Sequence, residues 1–209
     1  MSVGWTRRRL GGLALASFGA GEAVAATSRG AEAAALIRAL LDGGVVVVLR
    51  HAITDRRQVD RGDLSDRAAQ RNLSDAGRAQ ARALGRAMAA LGVPLGEVLA
   101  SPVFRARDTA ELAFGARTVV EPRLTADDYT PDPAMLAANI AWLRERSGRP
   151  SAPGRTDVLV GHIVPMGMVL GRGLAQAEYP EGALAVFAPG ERAGRLLGIL
   201  AAEALAPAG

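Results

Sequence analysis

The sequence predicts an α/β fold, a three-layer α/β/α sandwich with a mainly parallel central sheet and antiparallel edge strands. Two observations predict it. Short runs of valine and leucine alternate along the chain with longer segments of helical periodicity, as repeated strand–helix units do. At 209 residues, of which 49% are apolar, the chain also has the length and apolar content of one domain with a substantial core.

The first 25 residues have the order of an export signal rather than of a folded element. Three arginines at 7–9 precede a weakly apolar stretch at 10–20, and Ala-Val-Ala at 23–25 supplies the small residues that a signal peptidase reads. The apolar stretch is shorter than the roughly 20 residues of a membrane span. The paired arginines resemble a twin-arginine signal. We therefore predict cleavage of residues 1–25, a single domain over 26–209 without a membrane span, and a periplasmic or secreted protein, with a cytoplasmic one as the alternative.

The strand–helix alternation begins directly after this segment. Leucine and isoleucine at helical spacing predict a helix over 31–41, and the valine run at 45–49 predicts a strand buried on both faces. Ser74 as N-cap and Gly92 just past the end delimit a helix with one apolar face. A short strand is predicted over 98–100.

The second half of the chain continues the same alternation. Ser101 and Pro102 predict the N-cap and first residue of a helix that ends near Gly115. The remaining predicted elements are strands over 117–120, 158–160, 183–188 and 195–200, a helix over 132–146 and a short helix around Pro165.

The composition excludes several classes of protein. The absence of cysteine excludes disulfides, thiolate metal sites and a cysteine nucleophile. All 25 basic residues are arginine, but a net charge of only +4 and an aromatic content of 4% argue against a nucleic-acid partner. The sequence pI of about 10.7 then mainly reflects the high pKa of arginine.

The only two histidines, His51 and His162, each follow a predicted buried strand directly. In open α/β sheets, ligands bind beyond the carboxyl ends of the strands, so both imidazoles are expected at the binding edge. Arg50 adjoins His51, and Arg105 falls in the first turn of a predicted helix, where anions are favoured. These four side chains predict an anion site with a candidate nucleophile. One phosphate contacting both histidines requires them within about 8 Å, given hydrogen bonds of roughly 3 Å.

A metal site is the main chemical alternative, because two histidines and an aspartate can bind zinc. The adjacent arginines would repel a cation, so we predict no metal, and nothing in the sequence indicates another cofactor.

Four segments of the chain resemble the motifs of the histidine phosphatase superfamily, which has the phosphoglycerate-mutase-like fold. Residues 49–54 (Leu-Arg-His-Ala-Ile-Thr) resemble its Leu-Arg-His-Gly-x-Thr signature, with Ala52 where glycine is usual. Residues 72–81 resemble the start of the second helix of the family. Residues 100–110 resemble its Ser-Pro-x-x-Arg-Ala-x-x-Thr-Ala motif, and residues 158–162 resemble its Val-x-Gly-His motif. They follow the order of the family and span about residues 45 to 162.

This resemblance implies a phosphomonoester hydrolase in which His51 attacks phosphorus and forms a phosphohistidine. Arg50, Arg105 and His162 would neutralise the phosphoryl oxygens, and Thr54 of the signature would join them in binding phosphate. The implied partner is a small phosphorylated substrate, and the oligomeric state stays open. A non-catalytic protein that binds phosphorylated ligands in the same pocket, or a phosphoryl mutase, are the alternatives.

The proton donor for the leaving group is where the sequence departs from the family pattern. Ala126 stands where the mutase branch has glutamate, and Ile163 stands where the acid-phosphatase branch has aspartate after the second histidine. Asp127 is the nearest acid and our candidate general acid. The alternatives are Asp128, Glu121 and Glu181.

The polar stretch at 54–72 follows the candidate nucleophile directly and is a candidate lid over the pocket. Asp55, Arg56 and Arg57 are nearest to His51 and would then select the substrate. The alternative is a solvated loop of mutual Asp–Arg pairs, which is common in charge-rich surface segments.

Overall fold

The computed structural model describes residues 18–191 and 193–205. Its strands are β1 (Val46–Arg50), β2 (Leu95–Ala100), β3 (Thr118–Val120), β4 (Thr156–Gly161), β5 (Leu184–Ala188) and β6 (Arg195–Leu200). Its α-helices are α1 (Phe18–Asp42), α2 (Asp75–Ala90), α3 (Phe104–Phe114), α4 (Pro133–Gly148) and α5 (Ile163–Leu170).

The six strands form one mixed sheet in the order β3-β2-β4-β1-β5-β6. The first four strands in this order are parallel, whereas β5 runs antiparallel to β1 and β6 antiparallel to β5. The predicted fold class is therefore confirmed, with its antiparallel strands at one edge.

The valine run of β1 separates two apolar cores. Val47 and Leu49 pack with residues of α1, α2 and α3 on one face, whereas Val46 and Val48 pack with residues of α4 and α5 on the other. Because successive strand residues point to opposite faces, one run of five buried residues serves both helix layers.

Several boundaries differ from the predicted ones. Helix α1 begins at Phe18 rather than at residue 31, and β2 begins at Leu95 rather than at residue 98. The prediction of Ser101 as an N-cap and Pro102 as the first helical residue is wrong, because α3 starts at Phe104 after Val103. The Ser101 hydroxyl instead contacts the ring of a histidine described below and accepts a hydrogen bond from the Val103 N–H.

The start of α2 agrees with its predicted cap. The Ser74 side chain accepts a hydrogen bond from the Gly77 N–H at 3.0 Å. Gly92 lies just past the helix with a φ of +77°, a conformation that a glycine adopts without steric cost.

The arginines of the predicted export signal lie outside the described residues, as do its residues up to 17. Residues 23–25, the predicted cleavage site, lie within α1. Across residues 18–191 and 193–205, no helix combines the length and apolar character needed to span a bilayer.

Candidate active site at the carboxyl edge of the sheet

The four residues of the predicted anion site meet at one edge of the sheet. His51 and His162 follow the adjacent parallel strands β1 and β4, and their ring centroids lie 5.5 Å apart. This distance is within the range that a shared phosphate requires. Arg50 and Arg105 join them, and each of the four residues is at most 5% exposed.

These four side chains line a cavity of about 240 Å³. A third arginine that the sequence analysis did not single out, Arg71, lies in its wall. The remaining lining residues are Asp127, Asp128, Ile163, Val164 and Gln176. The cavity therefore combines three guanidinium groups, two imidazoles and two carboxylates.

The His51 ring is held in one neutral form. Its Nδ1 lies 2.9 Å from the carbonyl oxygen of Ala52, and because a carbonyl only accepts, Nδ1 carries the proton. Burial lowers the pKa of His51 well below its ordinary value of 6.5, and the charges of Arg105 and Arg50 lower it further against this hydrogen bond. At neutral pH the Nε2 lone pair is therefore available to attack an electrophile.

His162 is also neutral at pH 7. Burial lowers its pKa well below the ordinary value, and the charge of Arg105 adds to the effect. Its Nε2 lies 2.9 Å from the Ser101 hydroxyl oxygen. Its Nδ1 is buried and has no hydrogen-bond partner among the described residues.

Protein groups accept hydrogen bonds from only some of the guanidinium nitrogens around the cavity. Arg50 donates from Nη1 to the Tyr179 carbonyl oxygen at 2.5 Å, and Arg105 donates from Nη1 to Asp60 at 2.9 Å. Within the described part of the chain, the buried Nε atoms of Arg50, Arg71 and Arg105 have no hydrogen-bond partner. Buried polar groups are normally paired, so these atoms and the His162 Nδ1 show that the site has fewer hydrogen-bond partners than it has polar nitrogens, as expected where an anion with several oxygens binds.

Asp60 fixes one of these arginines. Its carboxylate accepts hydrogen bonds from the Arg105 guanidinium, from the Tyr129 hydroxyl at 2.5 Å and from the Arg71 backbone N–H at 2.9 Å. Burial acts to raise the pKa of Asp60, but the hydrogen bonds from Tyr129 and Arg71 and the charge of Arg105 outweigh it and lower the pKa. Asp60 is thus an ionised group that orients Arg105.

Asp127 and Asp128 both line the cavity, and Asp128 contacts its charged groups more directly. Its Oδ2 lies 3.5 Å from Arg105 Nη2. Burial raises the pKa of Asp128, and the charges of Asp60 and Asp127 add to this, against the opposing effect of Arg105. A carboxyl group with a raised pKa at the cavity wall is suited to exchange a proton with a bound ligand.

The other two acidic candidates are already paired with protein groups. Glu121 accepts hydrogen bonds from Arg123, which lower the pKa of Glu121 against the opposing effect of burial. Glu181 accepts a hydrogen bond from the Thr54 hydroxyl at 2.7 Å. That contact engages the only hydroxyl proton of Thr54, so it leaves this predicted phosphate ligand without a free side-chain donor.

The motif residues outside the cavity brace the loop after His51. Thr109 accepts from the Ala52 N–H at 2.9 Å and donates to the Arg105 carbonyl oxygen at 2.7 Å. Gln80 accepts from the Ile53 N–H and donates to the Glu181 carbonyl oxygen. These contacts tie the candidate nucleophile to α2 and α3.

Gly77 at the start of α2 contributes to the same bracing. A Cβ at this position would lie 1.8 Å from the Ile53 carbonyl oxygen. Only glycine permits this close approach between α2 and the loop that follows His51.

The candidate lid contributes to the cavity through its later residues. Asp55 and Arg57 form an exposed pair with one another, in which the Arg57 side chain is 90% exposed. This pair matches the solvated alternative rather than substrate selection. From the same segment, Arg71 lines the cavity instead, and Asp60 pairs with Arg105. Sequence spacing gave no signal for them, because only the folded path of the loop brings them to Arg105.

Residues 18–191 and 193–205 contain no group of three or more histidine, aspartate and glutamate side chains arranged to hold a metal ion.

Comparison with known families agrees with the motifs. The family model for the histidine phosphatase superfamily (branch 1) matches residues 46–128. This range contains three of the four motif segments, together with His51, Arg105 and Asp128. The resemblance to this superfamily is thereby confirmed over residues 46–128. Members of the superfamily are phosphatases and mutases. No curated protein matches the sequence.

Solved structures of phosphatases share the fold. One is the protein histidine phosphatase SixA complexed with tungstate, with a TM-score of 0.54 at 19% identity, covering 78% of this chain and 99% of that one. Another is a phosphoserine phosphatase from Entamoeba histolytica in complex with 3-phosphoglyceric acid, with a TM-score of 0.51 at 14% identity and the same coverage. At these identities the similarity establishes the fold.

Proposed function

We propose that this protein is a phosphomonoester hydrolase that works through a phosphohistidine intermediate on His51. One observation carries the proposal. Arg50, Arg71, Arg105 and His162, each with a buried nitrogen that has no partner among the described residues, line one cavity with the neutral imidazole of His51, whose Nε2 carries no proton. The cationic groups suit a phosphate dianion, and the imidazole suits an attack on its phosphorus.

The reaction has two steps. His51 Nε2 attacks the phosphorus, a P–N bond forms, and the P–O bond to the alcohol breaks. Arg50, Arg105 and Arg71 balance the charge on the phosphoryl oxygens, and His162 contacts the same oxygens. Water then attacks the phosphohistidine, which releases inorganic phosphate and restores neutral His51.

Each step moves one proton, and Asp128 is the best-supported carrier. Protonated Asp128 gives its proton to the departing alcohol oxygen, and its carboxylate then takes a proton from the attacking water. Its contact with Arg105 and its raised pKa support this role over Asp127, the nearest acid by sequence alignment.

The test is trapping of the covalent intermediate. We expect acid-labile, base-stable phosphate on the protein after rapid quenching with a ³²P-labelled phosphate ester, and we expect His51→Ala to lose both label and turnover. The matched control is Arg57→Ala, whose exposed side chain lies in the same segment and should leave labelling unchanged.

The alternatives give different results in this experiment. Tight binding of phosphate with no label and no turnover assigns a non-catalytic binding protein. A label that passes to a second hydroxyl of the product rather than to water assigns a mutase. Full hydrolysis by the His51→Ala variant would refute the mechanism altogether.

We also propose that residues 1–25 are a cleaved twin-arginine export signal preceding one domain over 26–209. The order of charged, apolar and small residues supports this. In a bacterial host, the exported protein should begin at Ala26 and lie in the periplasmic fraction. Replacing Arg7 and Arg8 together with lysine should retain it in the cytoplasm. If the protein with its original Arg7 and Arg8 is absent from the periplasmic fraction, the proposal is contradicted.

A further inference from the structure

A second cavity adjoins the proposed phosphate site. It has a volume of about 410 Å³, which lies within the range of about 300 to 1,000 Å³ typical of small-molecule sites. It lies between α5 and the loop that follows it. Its side chains include Ile163, Val164, Met168, Leu174, Arg172 and Gln176. We call this cavity the α5 groove.

The α5 groove is apolar in character. Val164 and Met168 are large apolar residues that are 43% and 39% exposed. Arg172, the charged residue in the wall, donates to Glu178 from both terminal nitrogens, so its charge is matched by a neighbour. An exposed apolar surface in a concave site, with its one cation already paired, suits an uncharged hydrocarbon group better than a polar one.

Gly171 and Gly173 form part of the wall of the α5 groove. Gly171 ends α5 with a φ of +70°, and a Cβ on Gly173 would meet no atom within 4 Å. The loop therefore contributes no side chains to the groove wall at these two positions.

The α5 groove and the phosphate cavity share three wall residues, Ile163, Val164 and Gln176. Ile163 follows His162 directly and so stands at the boundary between the two cavities. A phosphate held by the arginines therefore has an apolar surface within reach of its ester oxygen. This continuity identifies the occupant of the α5 groove as the alcohol portion of the ester.

We infer that the substrates are phosphomonoesters of apolar alcohols, with the phosphate beside His51 and a hydrocarbon chain or ring in the α5 groove. This inference rests on the proposed function for the phosphate cavity and adds the class of leaving group. The same contacts disfavour polyhydroxylated leaving groups such as sugars, because their hydroxyls would lose water against Val164, Met168 and Leu174 without gaining partners.

The test uses an alkyl series of increasing length with a constant head group. We expect the affinity for methyl-, butyl-, hexyl- and octylphosphonate, measured by calorimetry on the full chain, to rise by about threefold to fourfold per buried methylene until the groove is filled. The value of kcat/KM for the matching alkyl phosphates should rise in parallel, because the longer alcohols have nearly equal leaving-group pKa values.

Two variants at exposed methionines test whether the dependence of affinity on chain length arises in the α5 groove. Met168→Asp places a charge in the α5 groove and should flatten the dependence on chain length. Met135→Asp is the matched control, since Met135 is 56% exposed on α4 and belongs to neither cavity wall. It should preserve the slope of the wild-type protein.

The outcomes separate this inference from the proposed function. Affinities within twofold across the series would overturn the inference, even where the esters are hydrolysed. An affinity that rises with chain length and depends on Met168 supports it, even where no ester is hydrolysed and the proposed function fails. A flat series, together with a dimer that Met168→Asp dissociates, would assign the groove to a second copy of the chain and overturn the inference.

Discussion

Strand β4 has buried arginines near both of its ends, and the two ends are built differently. Near its start, Arg146 donates from Nη2 to Asp157 and to Glu97, both at 2.7 Å. Beyond its other end, Arg50, Arg71 and Arg105 line one cavity with His162. Arg71 and Arg105 lie within salt-bridge distance of Asp60, and Arg105 also of Asp128, whereas Arg50 lies within salt-bridge distance of neither. Counted by ion pairs, the first cluster has two carboxylates for one arginine, whereas the second has two carboxylates for three arginines.

This difference shows that burial of an arginine does not by itself identify a binding site. Arg146 and Arg105 are 5% and 3% exposed, and each has one buried nitrogen without a hydrogen-bond partner among the described residues, so neither property separates them. The number of paired carboxylates does separate them. An arginine matched by carboxylates has no need of a ligand, whereas a cluster with fewer paired carboxylates than guanidinium groups is completed by an anion.

The largest predicted effect is that substitution of these two arginines impairs different properties, activity for Arg105 and stability for Arg146. Arg105→Ala removes a buried cation from the phosphoryl oxygens, so we expect kcat/KM to fall by about 10² to 10³-fold. Arg146→Ala leaves Asp157 buried without its partner, so we expect the free energy of unfolding to fall by about 3 to 5 kcal/mol. Initial rates and urea titrations measure the two effects.

The proposed difference between the two ends of β4 would be refuted if the two variants lost the same property. We expect the folded fraction of Arg146→Ala to keep kcat/KM within about twofold of the wild-type value. A loss of kcat/KM as large as that of Arg105→Ala, measured on folded protein, would show that the number of paired carboxylates does not distinguish the two ends.

The carboxylates at the phosphate cavity supply the second prediction. Asp128 is a general acid only while protonated, so kcat should fall as the pH rises through its pKa, and its raised pKa moves this fall upward from the ordinary aspartate range. Asp128→Asn should lower kcat for an alkyl phosphate by about 10²-fold or more and remove this limb of the pH profile.

Asp127→Asn is the matched control for this prediction. It changes the adjacent carboxyl group and should leave the limb in place. A reversed result, with the limb lost only in Asp127→Asn, would return the acid role to Asp127. A substrate with a good leaving group, such as p-nitrophenyl phosphate, should be much less sensitive to Asp128→Asn because its oxygen needs no proton.

The sequence predicts one half of this site better than the other. Arg50, His51 and His162 lie at strand ends, where the alternation of strands and helices determines which edge they occupy. Asp60 and Arg71 lie in the segment between β1 and α2, where no periodicity constrains the path of the chain. Their approach to Arg105 depends on hydrogen bonds across the fold, which no local pattern encodes.

The same limit explains the wrong helix start at Ser101. Ser-Pro is a common beginning for a helix, but the Ser101 hydroxyl contacts His162, a residue 61 positions further along the chain. A local propensity was overridden by a contact between adjacent strand ends. The fold class depends on many repeated signals and was predictable, whereas this boundary depends on a single contact.

The third prediction concerns the stability of the histidine end of β4. Because His51 and His162 have lowered pKa values in the folded state, the unfolded chain binds more protons as the pH falls below their ordinary value of 6.5. The contribution of these neutral imidazoles to the free energy of unfolding is therefore fully present above pH 6.5. It is lost as the pH falls through the pKa values that the two histidines have in the folded state. Each histidine contributes a slope of up to about 1.4 kcal/mol per pH unit.

Denaturant titrations between pH 8 and pH 5 measure this slope. His162→Asn should flatten it, because asparagine does not titrate in this range. Bound inorganic phosphate should also reduce the slope, since its negative charge favours the protonated imidazole. An unchanged slope in His162→Asn would show that acidic groups elsewhere determine the acid stability.

The smallest predicted effect concerns two arginines of the segment between β1 and α2. It tests whether an arginine of this segment contributes to kcat/KM only where it lines the cavity. Arg57 and Arg71 belong to the same segment, but Arg57 is paired with Asp55 in solvent whereas the Arg71 Nε is buried in the cavity wall. Arg57→Ala should leave kcat/KM within about twofold, because an exposed pair that is screened by water contributes little. Arg71→Ala should lower it by about tenfold or more, as expected for a charged hydrogen bond to the phosphoryl group. Equal losses in the two variants would mean that the segment acts through its net charge or its closure over the cavity, and that the buried nitrogens do not define the site.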